Sequence, residues 1–207
     1  MDLSKIQDII FDLGGVIIGL DVTRTVTSMA QLMKVTESEA QSIFESREQF
    51  KTYEMGRLTD QEFRDFIRSL SAEQLSDAMI DAAWNAMILD IPGHHFTLLS
   101  GLRKTHRVHL LSNTNSIHLK HVENKLKETG QGDFSQYFHN EFYSHTMGMR
   151  KPNRDIYREV LSQGKMEAST TLFLDDNLDN LAGAESVGIN VYHVKKLTDT
   201  ADFFNER

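Results

Sequence analysis

Two apolar rhythms divide this chain. Short runs with apolar residues on both faces predict buried strands. Stretches in which apolar residues recur every three or four positions predict amphipathic helices. The first run is Ile9-Ile10-Phe11, ending in Asp12-Leu13-Gly14-Gly15. Further strands are predicted at Arg107–Ser112, Phe142–Ser144, Thr171–Asp175 and Ile189–Val194. Between them, helical spacing covers a stretch through Phe96, Leu99 and Leu102, then 116–128, 155–163 and 178–186, with Gly188 as a stop. Strands alternating with helices predict a parallel sheet in an α/β fold.

The stretch from Asp21 to about Asn85 breaks this alternation and reads as helix throughout. Val22, Val26, Met29, Ala30 and Met33 share one helical face. Thr36-Glu37-Ser38-Glu39 and Thr59-Asp60-Gln61-Glu62 are capping-box starts of two more helices, and Ser71 is read as opening a fourth. Glu54, Gly56 and Arg57 interrupt the block, either as a plain turn or as a loop facing a site on the sheet. Phe44, Phe63, Phe66 and Trp84 are the apolar core that such a block needs. The expected division is a core of residues 1–17 and 92–207, with an all-helical insertion at 18–91 after the first strand.

Composition narrows the function. A net charge of −8 supplies no basic stripe for nucleic acid or for an anionic membrane surface. There is no cysteine, hence no disulfide and no thiolate chemistry. No signal peptide or membrane-length apolar run is present, so a cytoplasmic protein is expected. No pattern in the sequence sets an oligomeric state. Nine histidines lack the spacing of a known zinc motif; even His118 and His121, three apart on a helix, are read with the rest as surface or supporting residues.

The chemistry lies where the predicted strands end. Asp12 closes the first strand, Ser112-Asn113 the second and Asp175-Asp176 the fourth. In a parallel sheet these carboxyl ends share one edge, where α/β proteins bind ligands. Gly148-Met149-Arg150-Lys151-Pro152 adds a lysine, held extended by the proline after it. Taken singly, each is ordinary: a turn aspartate, a helix-capping serine, a surface lysine. Together, three converging carboxylates need a cation, and magnesium prefers such oxygen donors. Amides before the next helix can hold a phosphate, and Lys151 can neutralise a phosphoryl oxygen. That set of groups suits phosphoryl transfer.

The motifs IIFDLGGV, LLSNTN, GMRKPNRDIY and LFLDDNLDN, in this order and strand context, resemble those of haloacid dehalogenase-superfamily phosphohydrolases across essentially the whole chain. Within that superfamily they are most similar to the bacterial α-D-glucose-1-phosphate phosphatase branch. The resemblance implies a Rossmann-like, doubly wound parallel sheet, with the helical insertion as a cap over the site. It implies Asp12 as the nucleophile that forms an aspartyl-phosphate. Mg2+ would be held by Asp12, the Gly14 carbonyl and Asp176, with Asp175 behind it or in exchanged roles. Ser112, Asn113 through its backbone, and Lys151 would bind phosphate, and Asn180 would brace the acidic pair. The implied substrate is a small phosphorylated metabolite such as a sugar 1-phosphate. Most such phosphatases carry a second aspartate two residues after the nucleophile as acid and base. Here glycine stands there, as it does in the glucose-1-phosphate branch, and a sugar 1-phosphate, with its more acidic anomeric oxygen, would need that acid less. The rival expectations are a 2-haloacid dehalogenase, which needs no metal, and a catalytically weak phosphometabolite-binding protein.

Overall fold

The computed structural model describes residues 2–46 and 48–205. Five parallel strands form one sheet in the order β3-β2-β1-β4-β5. They are β1 (Asp8–Phe11), β2 (Arg107–Ser112), β3 (Asn140–Tyr143), β4 (Thr171–Asp175) and β5 (Asn190–His193). β1 lies at the centre, and this explains why its residues are apolar in both directions. Ile9 and Phe11 join Val108, Leu110, Leu172 and Leu174 in a core cluster on one face. Ile10 joins Leu111, Phe142 and Phe173 on the other.

Helices cover both faces. α6 (Gly93–Leu102), α7 (Ser116–Glu128) and α11 (Asp199–Asn205) supply Leu99, Val122, Leu126 and Phe203 to the first cluster. α9 (Arg154–Gly164) and α10 (Leu178–Glu185) supply Ile156, Tyr157, Val160, Leu181 and Ala184 to the second. A short α8 (Ser144–Met147) follows β3 directly, so Ser144 opens a helix instead of ending a strand. α11 escaped the sequence reading: it has under two turns, too few for the helical period to show.

Among the described residues, five helices lie between β1 and α6: α1 (Val22–Met33), α2 (Glu37–Ser46), α3 (Glu48–Glu54), α4 (Asp60–Ser69) and α5 (Asp77–Asn85). Four were expected. The second expected helix stands as α2 and α3, and Arg47 between them lies outside the described residues. α5 begins at Asp77 and not at Ser71, because Ser76 is the residue that caps it, accepting the Met79 N–H at 3.3 Å. Thr59 and Glu62 form the expected capping box at the start of α4. Met29, Tyr53, Phe63, Ile67, Ile80 and Trp84 build a separate apolar cluster, with Phe44 and Phe66 packed on it. Ile117 of α7 also belongs to it and ties the block to the sheet layer.

Candidate active site

Strand register assembles the site. Phe11 pairs with Leu174, so the next residues, Asp12 and Asp175, emerge side by side at the carboxyl edge. The period of two carries both side chains to the face of Ile10 and Phe173, where α9 packs. Lys151, just before α9, lies on that face with its ammonium 5.3 Å from the centre of the Phe173 ring. It is 1% exposed. Its Nζ lies 2.8 Å from Asp12 Oδ1, donates to Asp175 Oδ2 at 2.6 Å and donates to the Leu111 carbonyl at 3.1 Å. Three N–H bonds meet three acceptors, so the ammonium is saturated.

Asp176 completes the acidic set. One carboxylate oxygen each from Asp12, Asp175 and Asp176 lies within 4.8 Å of the others. Gly15 permits this approach: its φ is +74°, and a Cβ there would stand 2.5 Å from Asp176 Oδ2. The two neighbouring aspartates differ sharply. Asp175 is fully buried and both its oxygens are engaged, by Lys151, by the Asn177 N–H at 2.8 Å and by Asn180 Nδ2 at 3.0 and 3.1 Å. Asn180 thus braces Asp175 alone and not the pair. Its own carbonyl accepts the Tyr157 hydroxyl at 2.7 Å. Asp176 is exposed.

Three carboxylates around one ammonium leave excess negative charge in a buried place. Burial is the main cause that pushes the Asp12 carboxyl up to about 7; Asp175 adds to the rise and Lys151 opposes it. Although the Asp176 residue is exposed overall, desolvation by the protein packed around its carboxyl, and then Asp175, also raises Asp176. Burial alone would lower the Lys151 ammonium, but Asp12 and Asp175 outweigh it and hold it above its ordinary value. Hard oxygen donors with surplus negative charge fit a magnesium ion.

Ser112 is buried at the carboxyl end of β2, the strand that pairs with β1. Asn113 has a second role that its position in the sequence did not show. Its Oδ1 accepts the Lys151 N–H at 2.9 Å and its Nδ2 donates to the Lys151 carbonyl at 3.0 Å. The side chain therefore clamps the backbone of the lysine, and its backbone amide is the part left for a ligand. The Thr114 N–H is committed to Ser144 Oγ at 2.9 Å.

The helical block is docked on this edge. Ser144 Oγ donates to the Glu54 carbonyl at 2.6 Å, and Arg150 holds the Glu54 carboxylate at 2.9 Å. Gly56 presses on the His145 carbonyl, where a Cβ would come within 2.0 Å. Glu54 and Gly56 thus hold the helical block against this edge, while Arg57 is exposed. Ser116 donates to Asp60, Tyr53 donates to the same Asp60 oxygen at 2.8 Å, and Trp84 stacks on His118 at 4.8 Å. His118 also meets Asn85 at 2.8 Å. This contact with Trp84 and Asn85, and not a pairing with His121 for a metal, explains its place. Two other histidines correct the surface reading. His95 and His109 are fully buried and bond Ile17 O and Asp8 respectively.

A Rossmann-like sheet with an acidic cluster and one buried lysine at its carboxyl edge, under a helical insertion, defines a class of α/β hydrolases. Residues 7–188 match the model of the haloacid dehalogenase-like hydrolases, and the chain belongs to that family. It is 25% identical to a D-ribitol-5-phosphate phosphatase of Bacteroides thetaiotaomicron over 94% of each chain. A haloacid dehalogenase-family enzyme of the same organism, solved with magnesium and inorganic phosphate, superposes with a TM-score of 0.84. Its identity is 34%, over 91% of this chain and 93% of that one. The L-2-haloacid dehalogenase RSc1362 shares the fold, with a TM-score of 0.62 at 18% identity, over 91% of this chain and 86% of that one.

Proposed function

We propose that the chain is a magnesium-dependent phosphatase of a small phosphorylated sugar or sugar alcohol, working through an aspartyl-phosphate on Asp12. The observation that carries this reading is the surplus of carboxylate at the carboxyl edge: three acids around one saturated lysine. A relative named for ribitol 5-phosphate and a neighbour holding magnesium and phosphate support it. On this reading Asp12, the Gly14 carbonyl and Asp176 hold the ion. The commitment of both Asp175 oxygens supports the outer place for Asp175. The ion would supply positive charge against the phosphoryl oxygens. Ser112, the Asn113 amide and Lys151 orient the phosphoryl group.

An Asp12 oxygen attacks phosphorus, and the ester oxygen leaves with the electron pair of the broken P–O bond. Water then attacks the aspartyl-phosphate, releasing inorganic phosphate and regenerating the Asp12 carboxylate. Residues 18–91 serve as the cap that excludes bulk water, and residues 1–17 and 92–207 as the core.

The test is phosphate release from a panel including ribitol 5-phosphate, glucose 1-phosphate and nucleotides, with Mg2+ present and Asp12→Asn as the blank. Release that needs Mg2+ and vanishes in the variant is expected. Release that persists in Asp12→Asn overturns the mechanism, and hydrolysis that survives full chelation by EDTA overturns the role of the metal and points to a metal-free hydrolase.

A further inference from the structure

The last carbonyls of a helix find no partner within it and must be satisfied from outside. At the end of α3 one of these is the Glu54 carbonyl, and the sheet layer supplies its donor, Ser144 Oγ, at 2.6 Å. Ser144 is fully buried and also serves the loop after β2: it accepts the Thr114 N–H at 2.9 Å and lies 3.0 Å from the Thr114 carbonyl. A hydroxyl has one proton to give. With the helical block seated, the shorter bond goes to Glu54. With the block lifted, the Thr114 carbonyl takes the proton and no buried donor is orphaned. Ser144 therefore has two satisfied states, and the position of Glu54 selects between them.

The Glu54 side chain reaches a second segment. Its Oε2 accepts from Arg150 Nη2 at 2.9 Å and from Arg150 Nε at 3.2 Å. The two side chains are only 25% and 28% exposed, so the pair is screened less than one on the open surface. One peptide further on is Lys151, whose N–H and carbonyl are held by the Asn113 side chain at 2.9 and 3.0 Å. Asn113 adjoins Thr114, and a ring closes: Glu54 carboxylate, Arg150 and Lys151, Asn113 and Thr114, Ser144, Glu54 carbonyl. The turn behind it is seated tightly, because Gly56 has a φ of +65° and leaves no room for a Cβ against the His145 carbonyl.

We infer that Glu54 is a positioning residue: a single residue of the helical block fixes both segments that orient the phosphoryl group, 113–114 and 150–151, so that seating the block and binding the phosphoryl group are one coupled event. The inference rests on the phosphatase reading above, in which the Asn113 amide and Lys151 hold that group. A ligand shifts an equilibrium by the difference in its affinity for the two states, and the coupling is reciprocal. A seated block that sharpens the phosphate site is in turn held down by phosphate, although on that reading phosphate touches no residue of the block.

The probe is inorganic phosphate with Mg2+, added to the full chain. Two quantities are read: its Kd by calorimetry, and amide hydrogen exchange of the segment 48–57 with and without it. In the wild type, saturating phosphate slows exchange of that segment. Glu54→Gln, which keeps the backbone carbonyl and loses the charge, abolishes this protection and weakens phosphate by about 10-fold, within the range usual for coupling between two sites. Arg150→Gln does the same, and the double variant is no worse than either single one, because both break one link. An unchanged Kd in folded Glu54→Gln, with only a lowered melting temperature, marks a merely structural residue and overturns the inference, as do additive effects of the two substitutions. A wild type that releases phosphate from esters, yet shows no protection of 48–57 at saturating phosphate, overturns it without any variant and leaves the phosphatase reading standing. A wild type that releases phosphate from no ester overturns that reading and takes this inference with it.

Discussion

Asp8 and Asp12 stand four positions apart, one at each end of β1, and both are buried. Around Asp8, at the amino end, the charges and hydrogen bonds close. Oδ2 accepts from Arg107 at 2.7 Å and Oδ1 accepts from His109 Nε2 at 2.9 Å. Asn140 Nδ2 in turn meets His109 Nδ1 at 3.0 Å, and Arg107 also reaches the Gly164 and Lys165 carbonyls at 3.1 Å. Burial lowers the His109 imidazole, with Asp8 opposing, so it serves as a neutral link between donor and acceptor. Around Asp12, at the carboxyl end, the charges do not close: three carboxylates share one lysine. A closed buried network holds a fold together, while an open one stores repulsion that a bound cation relieves. The difference separates a structural aspartate from a chemical one, although both lie at the ends of the same strand.

Substitutions at the two ends should therefore have opposite signatures. The largest effect is at Asp12: Asp12→Asn takes phosphate release to background, while the metal-free variant melts at a temperature equal to or above that of the wild type. A lower melting temperature would break the comparison. Lys151→Met removes the cation that pairs with both Asp12 and Asp175. It should lower kcat/KM by at least about 10²-fold and, leaving Asp12 and Asp175 face to face, reduce stability by about 3–5 kcal/mol in urea unfolding. Asp8→Ala should cost a similar ~3–5 kcal/mol, because Arg107 and His109 lose their shared partner. Its kcat in the folded protein should stay near that of the wild type, and a large loss of kcat would show that the two ends are coupled.

The smallest effect is a pH dependence. Asp12 is raised from its ordinary value of 3.8 to about 7 in the folded protein. The stabilising contribution of its proton is then whole below about pH 4 and lost as the pH rises through 7. Mg2+ should consequently raise the melting temperature more at pH 8 than at pH 5. Equal shifts at the two pH values would argue that Asp12 is not a source of the repulsion.

Much of this was legible in the residues. Ile9-Ile10-Phe11 marked the central strand because only a strand covered on both faces is apolar in both directions. The capping boxes at Thr36 and Thr59 marked helix starts because their side chains bond locally. The polar strand ends named Asp12, Ser112, Asp175 and Asp176 as a group, since a parallel sheet brings its carboxyl ends together. Where the reading failed, local rules had competitors. Ser71 was read as a helix start, but its Oγ accepts the Glu73 N–H at 3.1 Å in a turn, and Ser76 caps α5 instead. His95 and His109 read with the other histidines as surface or supporting residues, because the partners that bury them, Ile17 and Asp8, lie 78 and 101 positions away.

The sequence by itself determined the alternation of strand and helix and the run of helices after the first strand, because both depend on neighbours within a few positions, and the parallel-sheet rule then grouped the acids at the strand ends. Tertiary structure alone decided which of those acids are satisfied. Register placed Asp12 beside Asp175 and Asp8 beside Arg107, and long-range bonds saturated Lys151. The chain path set Glu54 against Ser144 and Arg150. Whether a buried charge holds the fold or drives chemistry depends on the partners that reach it, and those partners come from distant parts of the chain.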